Sequence, residues 1–305
     1  MESRGSSERT ADGMVQVWRP DTPEEAWRLK RQYGEYASYA AGGTWLRTRW
    51  ESGVSVLPPH LISVDRIAQM RTVKRLEDEP EPGWLRIGAA VALAAIQEHG
   101  EVRGTAPLLS QAANAVAAPS VRRQATIGGN VMTGSGDLIP ALLALDAVIV
   151  SYGQEGCERQ PLPEWLAGNT AARDKLAVSF DIRHKEGRRG WYRKIGRREA
   201  FTPSVITIAC AYRPDPSSGA LTDVRLAVGG AGMAPIRLYE AEIAAECGES
   251  AADIYAAVRK GIPSVVDDFA GAAYRRMAAA NVIAAELDRA SGGLKERRAN
   301  GESDT

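Results

Sequence analysis

A chain of 305 residues, 44% hydrophobic and 25% charged, has the make-up of a soluble globular protein, with two domains expected at about 150 residues each. Its 38 Lys and Arg balance 38 Asp and Glu, which excludes the basic footprint of a nucleic-acid binder. Three scattered cysteines, Cys157, Cys210 and Cys247, exclude a disulfide framework and the C-x-x-C spacing of zinc or iron–sulfur ligation, and point to a reducing cytoplasm.

Met1–Gly13 is polar, lacks the apolar core of a signal peptide and reads as a disordered start; Ser291–Thr305 reads as a disordered or frayed end. No apolar run approaches the roughly 20 residues of a membrane helix. Val15–Trp18 alternates like a strand. Thr22-Pro23-Glu24-Glu25 starts a helix, with Thr as N-cap, Pro in the first turn and acids beside it, and Gly34 stops it. Tyr36–Ala41 is a short strand that delivers a glycine pair, and Leu46–Ser52 leads away from it. His60–Val64 and Trp84–Ala89 are strands, with Ile67–Val73 as a connection between them. Val91–His99 and Pro107–Val116 are helical, and Pro119 breaks the second. A loop over Val121–Asn130 carries a second glycine pair. Leu138–Leu145 is an apolar helix, and Ala147–Val150 and Leu176–Ile182 are buried strands.

Composition shifts after about residue 185. Trp191–Ile195, Ser204–Tyr212 and Leu221–Val228 form a meander, with a turn over Arg213–Ala220. Helices follow over Leu238–Cys247, Ala251–Lys260 and Gly271–Ala290. The expected organisation is α+β, with one domain over residues 14–185 and a sheet-plus-helices domain over 190–290.

The two glycine pairs carry the chemistry. Tyr39-Ala40-Ala41-Gly42-Gly43-Thr44-Trp45-Leu46 and Thr126-Ile127-Gly128-Gly129-Asn130 each place Cβ-free residues beside a small polar one. Successive N–H groups at such a turn can cradle an anion, and two such loops suggest a diphosphate gripped from two sides. Neither loop is G-x-G-x-x-G or G-x-x-x-x-G-K-[ST], so the Rossmann and P-loop solutions are excluded. Asp137 reads either as the N-cap of the helix after it or as an acceptor for a ring N–H or sugar hydroxyl. His60, His99 and His184 belong to no metal-ligand cluster, and no metal site is expected. The basic run Arg183–Arg198 reads as a solvated face or an interface. Glycine loops serving as plain turns in a non-enzymatic module are the alternative.

Together with Arg86-Ile87-Gly88-Ala89, Pro140–Leu145, Tyr192–Arg198, Pro235-Ile236-Arg237, Glu240 and Tyr274-Arg275, these loops resemble the FAD-binding medium subunit of molybdenum hydroxylases. That is the xanthine dehydrogenase and carbon monoxide dehydrogenase flavoprotein family, and the likeness is greatest to the separate FAD subunit of bacterial purine-degrading xanthine dehydrogenases. The resemblance implies a two-subdomain FAD-binding fold of the vanillyl-alcohol-oxidase type, then a C-terminal antiparallel sheet with a helical bundle. It implies that Tyr39–Leu46 (Tyr39, Ala40, Ala41, Gly42, Gly43, Thr44, Trp45, Leu46) and Thr126–Asn130 (Thr126, Ile127, Gly128, Gly129, Asn130) hold the FAD diphosphate and ribityl chain. Asp137 and Lys194 would lie near the flavin, with Lys194 favouring negative charge on its reduced form. Tyr192 is either a cover for one flavin face or a cross-strand aromatic. The implied partners are a molybdenum-cofactor large subunit and a 2Fe-2S small subunit in a dimerised heterotrimer, with NAD+ as acceptor. A stand-alone flavin oxidase or reductase, or a subunit serving CO, an aldehyde or nicotine, are the alternatives. Where the family commonly has an acid after the Arg-Arg pair, this chain has Thr202.

Overall fold

The computed structural model describes residues 15–77, 83–168, 175–196, 204–267 and 269–299. The disordered start expected over residues 1–13 and the departure at Thr202 lie outside the described residues. The frayed end expected from Ser291 lies outside them only from residue 300, because the last helix runs on to Ala299.

The N-terminal unit is β1 (Gln16–Trp18), α1 (Pro23–Tyr33), β2 (Ala37–Ala40), α2 (Thr44–Glu51) and β3 (His60–Ser63). Its strands form a parallel sheet in the order β1-β3-β2. Thr22 caps α1 as its sequence demands, accepting from the Glu25 N–H at 3.1 Å. Lys30, in the last turn of α1, donates to the carbonyls of Gly34 and Ala37 and so ties the helix end to β2.

The second unit is an antiparallel sheet of β4 (Val73–Leu76), β5 (Trp84–Gly88), β6 (Val148–Gly153), β7 (Gly156–Pro161) and β8 (Leu176–Arg183), in the order β4-β5-β8-β6-β7. Six short helices join β5 to β6: α3 (Leu93–Glu98), α4 (Gly100–Thr105), α5 (Pro107–Asn114), α6 (Pro119–Arg122), α7 (Ile127–Met132) and α8 (Ile139–Ala144). A seventh, α9 (Leu162–Ala167), follows β7. The fully buried Asp181 of β8 is held by a bidentate pair from Arg86 of β5 at 2.7 Å, which fixes the centre of this sheet.

The third unit is an antiparallel meander, β9 (Arg189–Gly196), β10 (Ser204–Pro214), β11 (Leu221–Gly230) and β12 (Met233–Arg237), followed by α10 (Tyr239–Glu246), α11 (Ala251–Gly261) and α12 (Ala272–Ala299). Side chains alternate between the faces of this sheet. The row Tyr192, Ala209 and Ala227 joins the core of the first two units. Trp191, Cys210 and Leu226 join the second core, under the three helices. Small residues on the first face let α8 lie close, and a Cβ on Gly229 would stand 2.9 Å from the Pro140 ring. No helix among the described residues is long and apolar enough to cross a membrane.

One expected loop is not a loop. Residues 121–130 hold the end of α6 and most of α7, with Gly128 and Gly129 inside the first turn of α7. Thr126 is the reason: its hydroxyl accepts from the Gly129 N–H at 3.1 Å and starts the helix there.

Candidate functional site

The first glycine pair sits where β2 ends. Gly43 has φ +69°, a conformation that favours glycine, and it is the N-cap of α2. A glycine has no side chain to cap with, and none does so here, which leaves the first-turn N–H groups of Thr44, Trp45 and Leu46 for an outside acceptor. A Cβ on Gly43 would have nothing within 4 Å, so the space above this terminus is open. Gly42 lacks a side chain for another reason: a Cβ there would collide with the Gln124 carbonyl. That close approach brings the first loop against the chain leading to the second. An uncapped helix terminus at the end of a parallel strand, with open space before it, suits a phosphate group. Trp45 adds a half-exposed indole beside it.

The second glycine pair plays a different part. The Ile127 N–H donates to the Val91 carbonyl, Gly128 to Ala89 at 2.8 Å, Gly129 to Thr126, and Asn130 to the Thr126 carbonyl. These N–H groups are already engaged within the chain, so of the two glycine pairs only the first leaves backbone donors open to an outside acceptor. Gly128 and Ile127 are buried. What this segment presents is the exposed, Cβ-free edge of Gly129. Asn130 turns its side-chain oxygen back to the Leu138 N–H at 3.0 Å, where it anchors the loop before α8.

Asp137 lies in that loop and is not the N-cap of α8, a position held by Leu138. Its carboxylate accepts from Lys194 Nζ at 2.8 Å on one oxygen and from Ser204 Oγ at 2.7 Å on the other. Lys194 also donates to the carbonyl of Ala115, just past α5, at 3.3 Å. Tyr192 is buried, its O–H donating to the Asp137 carbonyl at 2.9 Å. Burial, and then the Asp137 charge, pushes that phenol well above its ordinary value, so it stays a donor. Tyr192 is a cross-strand neighbour of Ala209 within the core. Ser204 carried no signal in the sequence beyond being the first residue of a strand. The segment 115–125 links this cluster at Ala115 to the Gly42 loop at Gln124.

Part of the basic run is engaged in ion pairs, although Arg189 and Arg193 are exposed and Arg197 and Arg198 lie outside the described residues. Lys185 and Arg188 hold Asp146, Arg193 holds Glu286, and Lys194 holds Asp137. Two histidines have local tasks: His60 accepts from the Trp18 indole and stacks on Tyr33, and His99 accepts from the Glu101 N–H at the start of α4. No group of three or more His, Cys, Asp or Glu suited to a metal occurs among the described residues.

A Cβ-free uncapped terminus joined by one segment to a partly buried acid–lysine–serine cluster could accommodate an extended nucleotide cofactor. The chain matches the family model described as the FAD binding domain in molybdopterin dehydrogenase over residues 13–182, and it belongs to that family of FAD-binding proteins. Among its relatives, the xanthine dehydrogenase FAD-binding subunit of Escherichia coli O157:H7 is 29% identical over 61% of this chain and 64% of that one. The match thus spans under two thirds of that subunit's length. The nicotinate dehydrogenase FAD-subunit of Eubacterium barkeri is 27% identical over 73% of this chain and 76% of that one. In fold, a chain of carbon monoxide dehydrogenase from Hydrogenophaga pseudoflava aligns with TM-score 0.80 at 23% identity, covering 92% of this chain and 98% of that one.

Proposed function

We propose that this chain is the FAD-bearing, electron-transferring subunit of a molybdenum hydroxylase. It would take electrons from a 2Fe-2S partner subunit, which receives them from a molybdenum subunit, and deliver them to NAD+. The observation that carries the reading is the uncapped N-terminus of α2 behind Gly43, open in front and packed through Gly42 against the residues leading to Thr126. FAD when bound supplies the redox chemistry, and the chain supplies binding and electrostatics. Thr44, Trp45 and Leu46 offer backbone N–H groups to the diphosphate, and Tyr39, Ala40 and Ala41 bring the chain to that turn. Gly129 and the Thr126–Asn130 segment offer a wall without side chains along the ribityl chain. Lys194, held by Asp137 and the Ala115 carbonyl, is a fixed positive charge for the electron-rich end of the flavin.

Xanthine is the substrate we assign to the complex, on the match to the E. coli xanthine dehydrogenase subunit. The matches to nicotinate dehydrogenase and to the carbon monoxide dehydrogenase medium chain make nicotinate and CO the comparison substrates. The purified chain should bind FAD stoichiometrically and leave xanthine untouched, and oxidation of xanthine with reduction of NAD+ should appear only with both partner subunits. Gly43→Val should abolish FAD binding while the far-ultraviolet circular dichroism stays that of the parent. Full flavin content in Gly43→Val would refute the assigned cradle, and turnover of xanthine by the chain alone would refute the division among subunits.

A further inference from the structure

Arg275 is fully buried, in the first turns of α12. A guanidinium removed from water is costly unless its hydrogen bonds are met. Here one terminal nitrogen donates to the carbonyl of Val205 and the other to the carboxylate of Asp267, while Nε has no partner among the described residues. Asp267 is itself fixed by the N–H groups of Phe269 and Ala270, each at 2.9 Å. The pair therefore forms a rigid bracket between the start of α12 and the start of β10.

Val205 adjoins Ser204, the residue whose hydroxyl binds Asp137. Ser204 is also paired with Gly196 of β9, and its carbonyl accepts from Ala231 at 3.0 Å. The β9–β10 pairing shifts register between Ser204 and Ile206, so Val205 falls between two ladder pairs with no partner of its own in β9. A bracket on the Val205 carbonyl supplies what the ladder lacks.

We propose that Arg275, with Asp267, is a positioning residue for the cofactor site: it pins the Val205 carbonyl and so sets the Ser204 hydroxyl on Asp137, and through Asp137 the place of the Lys194 charge. The proposal rests on the reading of the Asp137–Lys194–Ser204 cluster as part of the FAD site.

The test measures FAD affinity of the flavin-stripped full chain by quenching of flavin fluorescence, for Ser204→Ala, Arg275→Met, Arg275→Lys, Asp267→Asn and the Ser204→Ala/Arg275→Met double variant. Losing one hydrogen bond to a charged group should weaken binding about tenfold in Ser204→Ala. Arg275→Met should lose a similar factor and perturb the visible circular dichroism of bound FAD in the same sense. The double variant should be no weaker than the worse single, because both changes act through one contact. Arg275→Lys should recover part of the loss. Asp267→Asn, at the partly exposed end of the bracket, gives the same reading in a milder form should Arg275→Met fail to fold. Parent-like FAD affinity in Arg275→Met or Asp267→Asn, or losses that multiply in the double variant, would overturn the proposal while leaving the cluster's assignment standing. Parent-like affinity in Ser204→Ala would overturn both.

Discussion

A Cβ on Gly128 would stand 2.7 Å from both the Cβ and the carbonyl oxygen of Ala89. One of those atoms is backbone, and the Gly128 N–H donates to that same carbonyl, so neither partner can give way without breaking the bond. Gly43 meets nothing and needs glycine for its left-handed φ and the open space before it. Two glycine pairs that look alike in sequence thus fail differently when substituted. Gly43→Val should keep the fold at a local strain of about 1–2 kcal/mol and, on the proposed reading of the site, lose the flavin. Gly128→Val overpacks a buried contact and should cost at least about 1–3 kcal/mol, with the melting temperature of the flavin-free chain falling well below that of Gly43→Val. Equal melting temperatures for the two would show that α7 slides to make room, and the packing role of Gly128 would fail. Asp137 teaches a related lesson: an acid before an apolar helix suggests a cap, yet its two oxygens are taken by Lys194 and Ser204, 57 and 67 residues away in the chain.

Elements announced by local chemistry are where the sequence places them. Thr22-Pro23 opens α1 and Gly34 closes it, and the apolar strands β6 and β8 lie within two or three residues of their expected bounds. The short pieces were not legible. Helices α4, α6 and α9 are four to six residues long, and strands β4, β7 and β12 four to six, too brief for a 3.6- or 2-residue period to show. Helix α7 was hidden for a different reason: glycines in its first turn argue for a loop, and tertiary bonds from Val91 and Ala89 override that preference. The two loops were legible as glycine pairs, but which of them has free N–H donors depends on those same long-range bonds. Thr126 should therefore matter to α7 more than to any ligand. Thr126→Ala removes the acceptor of the Gly129 N–H and should destabilise the protein by about 1 kcal/mol in urea denaturation. A neutral outcome would mean that the bonds to Val91 and Ala89 hold the helix unaided.

At the scale of the whole molecule, the two cores meet along the β9–β11 sheet and are strapped together by charge. Asp146, just past α8, accepts from Lys185, Arg188, Arg225 and Arg237, all at 3.0–3.2 Å. Two of these cations, Arg225 and Arg237, belong to the meander and two, Lys185 and Arg188, to the chain entering it, so a single carboxylate from the FAD-binding part secures the C-terminal part. Arg188 and Arg237 are under 10% exposed, and removing the shared anion leaves Asp223 and Glu242 as their ion-pair partners among the described residues. Asp146 has φ +52°, which Asn tolerates as well, so Asp146→Asn removes charge without adding backbone strain. It should cost about 2–3 kcal/mol near neutrality, less than for a fully buried pair because a third of the Asp146 side chain is exposed. Burial alone would raise the Asp146 carboxyl, but the Lys185 hydrogen bond and the charges of Arg188, Lys185 and Arg225 outweigh it and hold it below the ordinary value. A group whose pKa is lower folded than unfolded stabilises fully above the unfolded value, about 4, and loses that stabilisation as pH falls through the folded one. The stability gap between parent and Asp146→Asn should therefore stay constant from neutrality to about pH 5 and close as the pH drops below about 4. Urea denaturation at a series of pH values measures it directly. A gap that is unchanged at acid pH would mean that the amide fails through packing or hydrogen-bond geometry, and that charge does not carry the strap between the two cores.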